Sequence, residues 1–200
     1  SLVVTVPDIA YNPPVGRWEP NAQGRLEQAA LDLYVEQGFD ETTVAEIAAR
    51  AGLKERTFFR HFADKREVLF RGRELADALG AAIDVAPAAT APLDAVAGAL
   101  ESLSDFFADR RPHALRRQAV IAANPSLQER ELIKLASLAT TIGDALRRRG
   151  VADPTASLVA EAGIAVFKVA FENWLTDPAD RSLAEHIRET LSELRAATRS

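Results

Sequence analysis

The chain contains no cysteine, which excludes a disulfide framework and any thiolate metal site. Its three histidines, His61, His113 and His186, are too scattered for metal-ligand spacing, so no metal and no cofactor are expected. Catalytic signatures are missing as well. There is no nucleophile elbow, no phosphate-cradling glycine loop and no H-E-x-x-H pair, and the adjacent acids Asp40-Glu41 stand at a helix start, where capping accounts for them. An enzyme is therefore not expected. The most apolar stretch, Leu158 to Leu175, is interrupted by Glu161, Lys168 and Glu172, whereas a membrane span needs about 20 predominantly apolar residues. The opening SLVVTV is short, has no basic region before it and runs into Pro7-Asp8, unlike a signal peptide. A cytoplasmic location is the expectation.

What the chain does have is concentrated between Thr43 and Leu69. Val44, Ile47, Ala48 and Ala51 recur at i, i+3, i+4 and i+7, one apolar stripe on a short helix. Thr43 and Glu46 form a T-x-x-E capping box at its start, and Gly52 supplies the left-handed residue with which a helix ends. A second helix is predicted from Lys54 to His61, making a helix-turn-helix. Leu53, Phe58 and Phe62 are its apolar anchors, leaving Lys54, Glu55, Arg56, Thr57, Arg60 and His61 to face outward. These are residue types that read DNA: arginine pairs with guanine, threonine touches a base edge or a thymine methyl, and lysine neutralises phosphate. Residues 43 to 73 hold eight Lys and Arg against four acids, a local charge of +4 in a chain of net charge −5. Positive charge thus gathers on one segment of an otherwise acidic protein, the footprint of a nucleic-acid module.

Gly52-Leu53, then Thr57-Phe58-Phe59-Arg60-His61-Phe62, Lys65 and Leu69 resemble the N-terminal domain of the tetracycline-repressor (TetR) family of bacterial transcriptional regulators. Residues 24 to 70 match its three-helix pattern, with Gly24 to Gly38 similar to the first helix and Phe39 to Thr43 to the connection into the second. The rest of the chain resembles the family only as an all-helical domain of suitable length. The resemblance implies DNA contacts from Thr43, Lys54, Glu55, Arg56, Thr57, Phe59, Arg60, His61 and Lys65, the last holding a phosphate. Two departures stand out. Phe59 replaces a frequent tyrosine and has no hydroxyl for a phosphate, and Lys54 stands where Ser or Thr often caps the recognition helix. Glu55 suits the positive end of that helix dipole and could equally accept from a cytosine amine.

Outside this segment the chain reads as helices throughout. Residues 1 to 20, with Pro7, Pro13, Pro14 and Pro20 and only Arg17 basic, form an irregular arm from which a weak DNA contribution is expected, with Trp18 packing on the first helix. Further helices are predicted over Asn21–Gln37, Asp64–Asp84, Pro92–Asp109, Pro112–Ala123, Leu127–Arg149, Thr155–Thr176 and Ser182–Thr198, with Asn124-Pro125 a break. Arg147-Arg148-Arg149 suit the negative end of their helix. The helix from Thr155 is apolar nearly all round and must be covered on most sides.

The reading is an all-α protein of about nine helices. It comprises an arm (1–20), a helix-turn-helix DNA-binding domain (21–69) and a ligand-binding and dimerisation domain (70–200). Wide apolar faces on the last two helices predict a homodimer built as a four-helix bundle. The family resemblance implies a small apolar or amphipathic effector in the second domain, for which Phe106, Phe107, Ile121, Phe167, Phe171 and Trp174 are candidate contacts. The expected function is a repressor that binds a pseudo-palindromic operator on double-stranded DNA as a dimer and is released by its ligand. The helix from Asp64 would transmit the signal. The alternative is a helical sensor or sequestering protein without DNA binding.

Overall fold

The structure, a computed structural model, describes residues 21–70 and 73–199, so the arm, Arg17 and Trp18 lie outside the described residues. Within these the chain is all-α. Asn21 opens the first helix, α1 (Ala22–Gln37), by accepting a bond from Gly24 N–H at 3.0 Å. A Cβ on Gly24 would sit 2.4 Å from that capping oxygen, so the cap requires glycine there. The predicted capping box is present at the start of α2 (Val44–Arg50): Glu46 N–H donates to the Thr43 hydroxyl, and Thr43 N–H to the Glu46 carboxylate. Gly52 has φ +67°, and Leu53 N–H closes the turn on Ala48 O at 2.8 Å. The chain is thereby aimed into α3 (Glu55–His61), whose N-terminal Lys54 makes no side-chain cap, as its chemistry dictates.

The helix expected from Asp64 is the first correction. Asp64 accepts Arg66 N–H and Glu67 N–H, capping only a 3-10 turn, Glu67–Leu69, and α4 (Arg73–Asp84) starts later. The physical reason lies in three consecutive apolar residues, Val68, Leu69 and Phe70, all of which are buried. Successive positions on an α-helix point about 100° apart, and a tight turn followed by extended backbone at Phe70 turns all three of these large side chains into the core.

The helix expected from Pro92 to Asp109 is broken as well, into α5 (Pro92–Ser102) and the single turn α6 (Ser104–Phe107). Ser102 turns its hydroxyl back onto Ala99 O, and Ser104 accepts the backbone N–H of Ala184 from another helix. α7 (Arg111–Ala122) follows, and Pro125 opens α8 (Pro125–Arg148) at its first position rather than merely ending the helix before it. α9 (Thr155–Thr176) has the expected bounds, and α10 (Leu183–Ala197) begins with a Ser182–Glu185 capping box.

Two hydrophobic cores result. The first joins Leu26, Leu31, Tyr34, Ile47, Phe58 and Phe62 to Val68, Leu69 and Phe70, and it is completed from far along the chain by Val120 and Ile121 of α7 and Leu127 of α8. The second gathers Leu79, Ile83, Val96, Leu100, Leu138, Ile142, Ile164, Trp174 and Ile187 from α4, α5, α8, α9 and α10. Gly163 lets α9 cross α5 closely, since a Cβ there would fall 2.5 Å from Val96 Cγ1. The three arginines ending α8 are structural ties. Arg147 pairs with Asp144 and Asp153, Arg148 with Asp84, and Arg149 donates to Ile83 O in the last turn of α4 and to Pro87 O in the loop after it.

α9 is less covered than its apolar circumference predicts. Leu158 is 67% and Val169 48% exposed, and with Ala162 and Ala165 between them they form one stripe at helical spacing on the outside of the chain. Among the described residues, no helix is long and apolar enough to cross a membrane.

Candidate nucleic-acid interface

The short α3 is fixed from beneath. Phe58 is fully buried (0% exposed) in the first core, and Phe62 packs against it with ring centroids 5.5 Å apart. These two anchors leave the opposite face of α3 to solvent. Lys54, Glu55, Arg56, Arg60 and His61 are exposed and Thr57 is partly so. Among the described residues none of these side chains is engaged in a hydrogen bond or ion pair, in contrast to the paired arginines elsewhere on this domain, Arg50 with Glu36 and Arg66 with Asp64. Phe59, 56% exposed, stands edge-on to Phe58 at 5.5 Å, so an apolar ring is presented in the middle of a basic face. Lys54, Arg56, Thr57, Phe59 and Arg60 together border a concavity of about 460 Å³. Donors held on a rigid helix face with no internal partner are available to an external acceptor.

Thr43 and Lys65 are differently occupied. The Thr43 hydroxyl accepts from Glu46 N–H and donates to the Glu46 carboxylate at 2.8 Å, so its first task is the cap. The Thr43 backbone N–H, and after it the Thr43 hydroxyl, donate to the Glu46 carboxylate and hold that carboxyl below its ordinary pKa. Lys65, expected to hold a phosphate, is engaged within the chain itself. Its ammonium donates to three carbonyls, Phe39 O at 2.8 Å, Asp40 O at 3.0 Å and Thr42 O at 2.9 Å, and lies 4.5 Å from the Phe39 ring centroid. An ammonium has three protons, and all three are spent on the loop that leads into α2. Tyr34 strengthens the arrangement by donating from its hydroxyl to Lys65 O at 2.6 Å.

The candidate effector residues divide. Phe107, Phe171 and Trp174 meet with centroids 5.4–6.0 Å apart, Phe167 adds to Phe171 at 5.6 Å, and Phe106 meets Phe107 at 5.1 Å beneath the guanidinium of Arg110. These five form one aromatic cluster in the second domain. Ile121 does not join them. It is 2% exposed and belongs to the first core, because α7 turns its C-terminal end toward α1, where Arg116 pairs with Asp32 at 2.7 Å.

Sequence reasoning missed a polar junction between the domains. Arg117 donates to Leu69 O at 2.7 Å and pairs with Glu131, while Arg130 pairs with Glu67 through both carboxylate oxygens. No local spacing signals bonds that join residues 48 and 63 positions apart.

The model for bacterial regulatory proteins of the tetR family matches residues 27–71, and the model described as the MftR C-terminal domain matches residues 90–199. The chain belongs to the TetR family. Over 80 residues this TetR-family regulator is 42% identical to the HTH-type transcriptional regulator TcmR of Streptomyces glaucescens, a match covering 40% of this chain and 35% of TcmR. The chain thus spans about a third of that relative's length. It is 27% identical over 168 residues to the putative mycofactocin biosynthesis transcriptional regulator MftR of Mycobacterium tuberculosis, covering 82% of this chain and 84% of MftR. Among solved structures it is similar to a transcriptional regulator from Rhodococcus sp. Rha1, with 25% identity, a TM-score of 0.51 and coverage of 86% and 94%. As in the family, the TetR-type helix-turn-helix is N-terminal and the divergent helical domain C-terminal.

Proposed function

We propose that this TetR-family regulator is a ligand-responsive repressor that binds a pseudo-palindromic operator as a homodimer. The observation that carries the DNA-binding part is the outer face of α3, with Lys54, Arg56, Thr57, Arg60 and His61 facing solvent without an internal partner among the described residues, on a helix anchored by Phe58. Arg56 and Thr57 read base edges, Lys54, Arg60 and His61 meet phosphates, and Phe59 contributes an apolar contact. Thr43 holds α2 in place behind them.

The stripe of exposed Leu158, Ala165 and Val169 with partly buried Ala162 supports pairing of two copies through α9, with α10 alongside. Two α3 helices would then enter successive major grooves, about 34–36 Å apart. The partly buried Phe107, Phe167 and Phe171, lying at the margin of the second core, support an apolar or amphipathic effector there. Such a ligand need favour one dimer conformation by only about 1–3 kcal/mol to matter.

Selection of bound sequences from a random duplex library at two salt concentrations tests this. Enrichment of a two-fold palindrome is expected. Absence of binding even at low salt, where phosphate neutralisation alone suffices, would leave a helical sensor without DNA affinity as the better reading.

A further inference from the structure

Three cationic groups surround one aromatic ring where the two domains meet. The guanidinium carbons of Arg117 and Arg130 lie 5.1 and 5.4 Å from the centroid of Phe70, and the ammonium of Lys134 lies 6.0 Å from it. Two carboxylates accompany them, and both are taken: Glu131 accepts from Arg117 at 2.7 Å and Glu67 from Arg130 at 2.8 Å. Lys134 is left over. Among the described residues its ammonium donates no hydrogen bond and has no carboxylate within ion-pair distance; its side chain is partly buried, while the nitrogen itself keeps access to solvent.

A cation in such a place carries a cost, because partial burial strips part of its hydration and the neighbouring guanidinium groups repel it. The ring offers little in return, since 6.0 Å is the outer limit of a useful cation–π contact. Burial, with the charges of Arg117 and Arg130 adding and Glu131 opposing, pulls the Lys134 ammonium down to about 8. Methionine or glutamine would fill the same space without that cost. Locally unfavourable groups concentrate at functional or strained sites.

We propose that Lys134, with Arg117 and Arg130 beside it, is the recognition site for the anionic head group, a carboxylate or phosphate, of a small amphipathic effector. The inference rests on the ligand-responsive reading above and names the chemistry of its ligand. One added negative charge brings the three cations and two carboxylates into balance and supplies the acceptor that Lys134 lacks. The apolar remainder of such a ligand would run along α8 toward the margin of the second core. Leu138, one turn along α8 from Lys134, is already part of the second core, and Leu135 packs against it with Phe107 and Phe171. The site also borders the turn Glu67–Leu69 and Phe70, so an anion that draws on Arg117 or Arg130 competes with the bonds that fasten the second domain to the segment following α3.

The chain has four lysines, Lys54, Lys65, Lys134 and Lys168, so their side-chain carbon NMR signals can each be followed with pH in the full-length protein. Decanoate and decyl phosphate, below their micellar concentrations, are the probes, with decanol as the uncharged control. Either anion is expected to raise the Lys134 midpoint by about one pH unit or more while Lys54 and Lys168 stay put, and decanol to leave it unmoved. Whichever anion binds tighter identifies the head group. By calorimetry, Lys134→Met should weaken decanoate at least about tenfold, the worth of one charge-assisted bond, Lys134→Arg should restore most of it, and decanol should be indifferent to both.

A Lys134 midpoint unmoved by both anions, or wild-type anion affinity in Lys134→Met, overturns the site. Gel shifts on random duplex at low salt keep the two readings apart. DNA binding without an anion response removes the head-group site alone, and an anion response without DNA binding removes the repressor reading alone.

Discussion

The guanidinium of Arg130 grips both carboxylate oxygens of Glu67, joining the start of α8 to the turn that follows the recognition helix, 63 residues earlier. About a quarter of each side chain is exposed, so the pair is partly screened from water and more consequential than a surface ion pair. A double-mutant cycle with Glu67→Gln and Arg130→Met, read by urea unfolding, should give a coupling energy of about 1 kcal/mol. A coupling indistinguishable from zero would show that this ion pair adds nothing to the attachment of the two domains, leaving it to apolar packing and to the Arg117–Leu69 and Arg116–Asp32 contacts.

Lys65→Ala should lower stability rather than flatten the salt dependence of DNA binding. Three bonds to the carbonyls of Phe39, Asp40 and Thr42 are lost, a cost of about 1–3 kcal/mol after exchange with water. Thermal unfolding alongside binding at several salt concentrations separates the roles. An unchanged melting temperature with a salt slope reduced by about one unit would restore the phosphate role that the resemblance implied.

Among the outward residues of α3, base readers and phosphate contacts should behave differently. Arg56→Ala and Thr57→Ala should relax sequence preference by about 1–3 kcal/mol at the affected base pair, whereas Lys54→Ala should weaken all duplexes alike and reduce the salt slope by about one. Equal losses on specific and random duplex for all three variants would contradict the assignment.

Lys134→Met should stabilise the protein at neutral pH. The Lys134 pKa is lowered from 10.5 to about 8 on folding, so below pH 8 the charged form is carried at a cost, by about 1–3 kcal/mol, that methionine does not bear. Between pH 8 and 10.5 the unfolded wild type holds more protons than the folded one, so wild-type stability rises with pH and the gap closes. Urea midpoints of both proteins at neutral pH and above 10.5 check the sign. A variant less stable than wild type at neutral pH would mean that Lys134 is already compensated.

Local chemistry made much of this fold legible. The Thr43–Glu46 box, Gly52 and the bounds of α9 all follow from capping and periodicity, and the outward set on α3 follows from the spacing of Phe58 and Phe62. What escaped depends on partners remote in sequence. Nothing near Leu103 reveals that Ser104 will accept from Ala184, so the break between α5 and α6 looks like continuous helix. Nothing near Lys65 reveals that three carbonyls from the stretch 39–42 will converge on it, and a lysine beside a helix-turn-helix reads as a phosphate contact. Ile121 is apolar in a region of apolar residues, and only the direction taken by α7 assigns it to the first core.

That assignment bears on how such proteins can be recombined. The head of this regulator is continuous in sequence but not in substance, since Val120, Ile121 and Leu127 form part of its floor. A chimera that grafts residues 21–70 onto another body inherits a walled space with its base missing, and must find replacement side chains of matching shape in the new host. Swapping operator preference between relatives is therefore better done by exchanging the outer residues of α3 than by transplanting the head entire.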